Sequence, residues 1–149
     1  MIRNVSFIIP IYNEKKRLYN LKDWIKWFDR NTLNCELVLS LNGCNDGSKK
    51  LIKNIKFKNL VVLNKRERGR GYAIINALKK TKKKYSCICS IDNAWDKKFY
   101  IEAYKKINKQ KDIFCIYGPK DHKKSKQKRI FIRRIISIFS NFFLKFFFF

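Results

Sequence analysis

Two stretches carry the residue types best suited to chemistry. The first is Asp92, which ends the apolar run Tyr85-Ser86-Cys87-Ile88-Cys89-Ser90-Ile91. A single carboxylate at a strand end can hold a divalent ion that bridges two phosphates, or accept a hydrogen bond from a sugar hydroxyl. It also fits an Asx-turn with Asn93. The second is the basic glycine loop Arg68-Gly69-Arg70-Gly71. Gly69-x-Gly71 at the mouth of a helix lets backbone N–H groups approach a phosphate, and the arginines add charge and fork-shaped donors. The same residues also suit a plain helix cap on a basic surface. The loop lacks the Lys-Ser/Thr ending of a Walker loop, and it follows the third strand where a dinucleotide fingerprint would follow the first.

Glu14 and Asp46 are the other acids placed after apolar strands. Glu14 follows the Pro10-Ile11-Tyr12-Asn13 turn and is suited to a nucleobase or ribose; Asp46 is suited to the same role or to capping the next helix. Asp96 reads as a helix cap. His122 lies in a lysine-rich linker and reads as solvent-exposed. No serine triad is detectable.

The elements that must position these residues read as an alternation of strands and helices. Val5–Ile11 is short, β-branched and apolar almost throughout, as a strand covered on both faces should be, with Pro10 tolerated only near its end. Leu18, Leu21, Trp24, Ile25 and Phe28 recur at helical spacing up to about Arg30. Glu36–Leu41 is the second strand, Ser48 to about Ile55 a brief helix and Asn59–Leu63 the third strand. Ala73, Ile74, Ala77 and Leu78 mark the helix after the glycine loop. Ser86–Ile91 is the fourth strand, Lys97–Asn108 a helix and Ile113–Tyr117 a fifth strand. This pattern predicts a Rossmann-like, doubly wound, mostly parallel α/β sheet. In such a sheet the loops after the strands meet on one edge, where ligands bind.

One domain fits a chain of 149 residues. The net charge of +25 draws polyanions: nucleic acid, an anionic membrane surface or a phosphorylated substrate. It also fits a solvated basic face without a partner. Dispersed Lys and Arg, and aromatics at core-like positions, argue against a nucleic-acid platform. The 5 cysteines contain no CxxC pair and read as buried free thiols of a reducing compartment. Met1–Asn4 leads straight into a strand, so no signal peptide is expected. The phenylalanine-rich run 135–149 is shorter than the roughly 20 residues that span a bilayer. It is expected to need a membrane, a partner or a groove in its own domain.

Taken in order, these motifs resemble the family-2 glycosyltransferases of the GT-A fold, especially those that use dolichyl or another polyprenyl phosphate as acceptor. Val5 to Glu14 is similar to the family's first strand and its Pro-x-Tyr-Asn-Glu turn. Asn42 to Ser48 falls at its acidic Asp-Asp-Gly-Ser-x-Asp loop. Arg68 to Ala73 resembles its Gly-Lys-Gly-x-Ala segment, and Ser90-Ile91-Asp92 stands at the Asp-x-Asp position. Tyr117-Gly118-Pro119-Lys120 resembles a later Gly-Ser-Arg, and Arg134, Ser137 and Asn141 the start of an amphipathic acceptor helix.

The resemblance implies a GT-A-like nucleotide-sugar-binding domain over 1–119, a basic linker over 120–128 and an amphipathic, very hydrophobic interfacial helix over 129–149. It implies a nucleotide-diphospho-sugar donor held by Pro10, Tyr12, Glu14, Asn42, Asp46, Arg68, Gly69, Arg70, Gly71 and Asp92. Asp92 would hold Mg²⁺ or Mn²⁺. The implied acceptor is a lipid phosphate, or another glycan, at an anionic membrane surface on the cytoplasmic face, with a second membrane subunit as a further partner.

This chain departs from that pattern at Leu41 and Asn42, which replace the acidic pair, and at Ser90, which replaces the first acid of Asp-x-Asp. The half that supplies the general base is expected to follow Phe149, and no base is assigned. The alternatives are an inactive or truncated relative that serves as an accessory or binding protein, and a basic nucleic-acid binder.

Overall fold

A computed structural model describes residues 1–93, 95–110, 112–113 and 115–118, and positions 136, 139, 140 and 143. It forms two compact units, Met1–Ile113 and Phe114–Phe149.

In the first unit the two-residue strands β1 (Ile2–Arg3) and β3 (Thr32–Leu33) pair beside the main sheet. That sheet contains β2 (Val5–Ile11), β4 (Glu36–Asn42), β5 (Leu60–Lys65) and β6 (Tyr85–Ile88) in the order β5-β4-β2-β6. All its pairings are parallel. The chain moves outward from β2 to β4 and β5, then returns to the other side of β2 for β6. The order therefore reverses between β2 and β6, the position where open α/β sheets take ligands outside their carboxyl ends.

Alternation along β2 sends its side chains to two different layers. Phe7, Ile9 and Ile11 enter the main core with Leu37, Leu39, Leu41, Trp24, Phe28 and Ile52. Helix α1 (Asn20–Asn31) supplies Leu21, Trp24 and Phe28 at helical spacing. Phe7 meets Phe28 and Tyr100 edge-on, with ring centroids 5.7 and 6.1 Å away, an arrangement that suits the ring quadrupoles. Tyr100 comes from α4 (Lys97–Lys109), which Asp96 caps by accepting from the Lys98 N–H at 2.9 Å. On the opposite layer Ile8 and Val38 meet Ala77 of α3 (Arg70–Leu78). Helix α2 (Ser48–Lys53) completes the set.

The expected parallel, doubly wound sheet is present. Among the described residues the expected fifth strand does not appear: Ile113 and Cys115–Tyr117 are irregular. A five-residue apolar run meets the compositional requirement for a strand, but composition alone does not decide whether a segment pairs.

In the second unit Ile136, Phe139, Ser140 and Phe143 are helical and exposed. Among the described residues no helix is long and apolar enough to cross a membrane. The very hydrophobic C-terminal helix and the membrane-associated localisation expected from it are corrected accordingly. The linker 120–128 and His122 lie outside the described residues.

Candidate functional site

Pro10 shapes the site through a hydrogen bond it cannot make. Ile8 pairs with Ile88, and its carbonyl accepts from the Cys89 N–H at 2.7 Å. Pro10 is two residues further along and faces the same neighbour, so the next ladder bond would need the N–H that proline lacks. Pairing to β6 stops there, while β2 continues beside β4 through Ile11 and Leu41. The chain from Cys89 onward is released from the sheet earlier than the expected strand end at Ile91. Asn93, at φ 52°, adopts the left-handed backbone that asparagine tolerates, and Asp92 sits in this turn.

The loops after β2 and β4 are tied together by polar side chains. Asn13 Nδ2 donates to Asn45 Oδ1 at 2.8 Å, and the Asn45 N–H donates to Asn13 Oδ1 at 2.9 Å. Ser48 Oγ accepts from the Glu14 N–H at 3.1 Å. Asp46 accepts from the Lys15 N–H at 2.8 Å and from the Ser48 N–H at 2.9 Å, one on each oxygen. Burial alone would raise the pKa of Asp46, but the hydrogen bonds from Ser48 and Lys15 outweigh it and leave the carboxyl below its ordinary 3.8. Asn13, Glu14, Lys15, Lys16, Arg17 and Asp46 line a cleft of about 380 Å³.

The glycine loop is anchored from β4. Asn42 is 1% exposed, and its Nδ2 donates to the Gly69 carbonyl at 3.0 Å. Its Oδ1 is buried with no partner. Gly43 has φ +68°, and a Cβ there would lie 2.9 Å from both the Arg66 carbonyl oxygen and Arg68 Cγ. Only glycine allows this approach of the two loops. Arg68 Cζ then lies 5.9 Å from the Tyr12 ring centroid, within reach of a cation–π contact. The third loop thus meets the first. Helix α3 opens at Gly69 without a side-chain cap, and nothing lies within 4 Å of a Cβ built at Gly71. Uncapped first-turn N–H groups beside Arg68 and Arg70, with open space at Gly71, have the chemistry that suits phosphate oxygens.

Asp92 is exposed. Its charge reaches Arg17 of the first loop. The Arg17 guanidinium is held above its ordinary pKa first by its hydrogen bond to Glu14 and the Glu14 charge, with Asp92 adding to these. Among the described residues no group of three or more His, Cys, Asp or Glu could hold a metal ion, so the expected metal-binding character has no protein-built cluster behind it. Magnesium held by one carboxylate takes the rest of its shell from phosphates and water. The residues present do not form a protein-built cage, and no step below runs through a metal.

Cys89 supplies no nucleophile here. Cys89 is buried, and burial, followed by its hydrogen bond and charge interaction with Cys87, pushes its thiol well above the ordinary value. All 5 cysteines are free; Cys35 and Cys89 are buried, whereas Cys115 is exposed, contrary to the expectation for the set.

The carboxyl edge therefore carries every residue expected in the site. Tyr12 and Arg68 meet directly, and Asn42 and Gly69 are hydrogen-bonded. Glu14 and Asp46 line one cleft. Asp92 lies on the far side of the order reversal, and its charge reaches Arg17. Sequence reading passed over Lys15, Lys16, Arg17, Asn13 and Asn45. The basic run directly after Glu14 was the available signal, but the charge of the whole chain obscured it.

A model of the glycosyl transferase family 2 matches residues 6–148. No curated protein matches the chain.

Proposed function

The chain belongs to glycosyl transferase family 2, and from that premise we propose that it transfers a sugar from a nucleotide-diphospho-sugar to a phosphate-bearing lipid or another glycan acceptor. The observation that carries the reading is the uncapped start of α3, with open space at Gly71 and the Arg68 guanidinium over Tyr12. The donor diphosphate lies against those N–H groups and the Arg68 and Arg70 side chains. The nucleoside extends toward Glu14, with Asn42 and Asp46 setting the loops around it.

In the transfer an ionised phosphate oxygen of the lipid acceptor, which has no proton to lose, bonds to the anomeric carbon as the bond from that carbon to the diphosphate oxygen breaks; a glycan hydroxyl would also have to give its proton to a base. Charge grows on the departing diphosphate, and the helix start and the arginines are aimed at that charge. The polyprenyl-phosphate acceptor is the finer part of the proposal and rests on the order of the sequence motifs. Purified chain is expected to move radiolabel from a panel of nucleotide sugars into lipid-extractable product when polyprenyl phosphate is supplied. Label recovered only in water-soluble glycan would redirect the acceptor, and no transfer with any donor would defeat the enzyme reading.

A second reading, donor binding without turnover, is favoured by Ser90 at the first acidic position and by the lack, among the described residues, of any group of three or more side chains that could hold a metal ion. It predicts nucleotide binding in the same crevice with no label transferred.

A further inference from the structure

We infer that Arg17 is a positioning residue of the donor site, fixing the Glu14 carboxylate at the crevice so that it meets the nucleoside in one orientation. This rests on the transferase reading above and adds to it a residue from the turn that follows the first loop.

Three hydrogen bonds hold Glu14 and Arg17 in register. The Arg17 N–H donates to the Glu14 carbonyl at 2.8 Å and closes a 3-10 turn over Lys15–Arg17. Arg17 Nη1 donates to Glu14 Oε2 at 2.8 Å. The Glu14 N–H is bound by Ser48 Oγ from the neighbouring loop. Both the backbone and the side chain of Glu14 are thereby held, and they are held at the cleft. An ion pair three residues apart with the Arg17 side chain 58% exposed contributes little to stability. Its consequence is orientation. A carboxylate with one oxygen engaged by a guanidinium presents its remaining lone pairs in a fixed direction, which lowers the ordering cost of binding. Lys15 adds rigidity through its N–H on Asp46. The charge of Asp92 also reaches Arg17, so one guanidinium lies in the field of acids on both sides of the order reversal.

The test is calorimetric titration of the full chain with each of the nucleoside diphosphates UDP, GDP, ADP, CDP and dTDP. Arg17→Gln is expected to weaken binding of whichever nucleotide the native chain takes by about tenfold, the loss of one charge-assisted contact, with the melting temperature unchanged. Arg17→Lys should restore most of it. Glu14→Gln should weaken binding similarly, and the double variant should be no weaker than Glu14→Gln alone. With labelled donor, the loss should fall on KM and leave kcat within about twofold. Native affinity in Arg17→Gln, with Arg68→Gln weakened, overturns the role of Arg17 and leaves the donor site standing. Additive losses in the double variant, or no recovery with lysine, also overturn it. No binding by the native chain overturns the donor site and this inference together.

Discussion

Asn42 Nδ2 donates to the Gly69 carbonyl oxygen at 3.0 Å, across 27 residues of chain, and so locks the end of β4 to the start of α3. The bond is part-buried and directional, with its Asn42 end buried, and reversing one partner should be costly. Asn42→Asp sets a carboxylate oxygen against a carbonyl oxygen at a position 1% exposed. It is expected to cost about 3–5 kcal/mol, the range for an uncompensated buried charge. Urea denaturation measures this. A loss below about 1 kcal/mol would mean that the loop is ordered by something else.

Gly43 and Gly71 should respond oppositely to the same substitution. Gly43→Ala puts a Cβ into backbone contact at a positive φ and is expected to destabilise by about 1–3 kcal/mol. Gly71 is in α3, and a Cβ there meets nothing within 4 Å, so Gly71→Ala should stabilise by about 0.4–1 kcal/mol. If the open space at Gly71 receives phosphate, the stabilised variant will bind nucleotide sugar more weakly. A Gly71→Ala chain that is both more stable and an unimpaired binder would place the phosphate elsewhere.

Asp46 predicts a pH dependence with a definite sign. Its folded-state pKa lies below the ordinary 3.8, so its contribution is complete above the unfolded value and disappears as pH falls through the folded one. The stability gap between the native chain and Asp46→Asn should be constant near neutrality and close below about pH 4. Denaturation midpoints across pH 2–7 measure it. A gap that widens on acidification would contradict the pairing of both oxygens with backbone N–H groups.

Residues that settle their own environment were legible from sequence. Val5–Ile11 reads as a covered strand because nearly every residue is apolar, and Asp96 reads as a cap because helix starts reward a side-chain acceptor. The early end of β6 was not legible in Tyr85–Ile91 alone, since its cause is the missing N–H of Pro10 on the neighbouring strand. Ile113–Tyr117 likewise has the composition of a strand, and composition alone does not decide whether a segment pairs. In the site, Arg68-Gly69-Arg70-Gly71 stood out because glycine and arginine together are unusual. Arg17 did not, because its role depends on the turn that sets it against the Glu14 carboxylate. Asp46 was read as a ligand contact or a cap, and both its oxygens are engaged by backbone N–H groups.

The central claim is that one phosphorylated donor lies between the opening of α3 and the first loop. Calorimetric titration of nucleotide-diphospho-sugars into the native chain and into Arg68→Gln tests it most directly. Removing one charge-assisted phosphate contact should weaken binding about 10- to 100-fold, with the melting temperature of the variant unchanged. Equal affinity in the two proteins, or no binding to either, would contradict it.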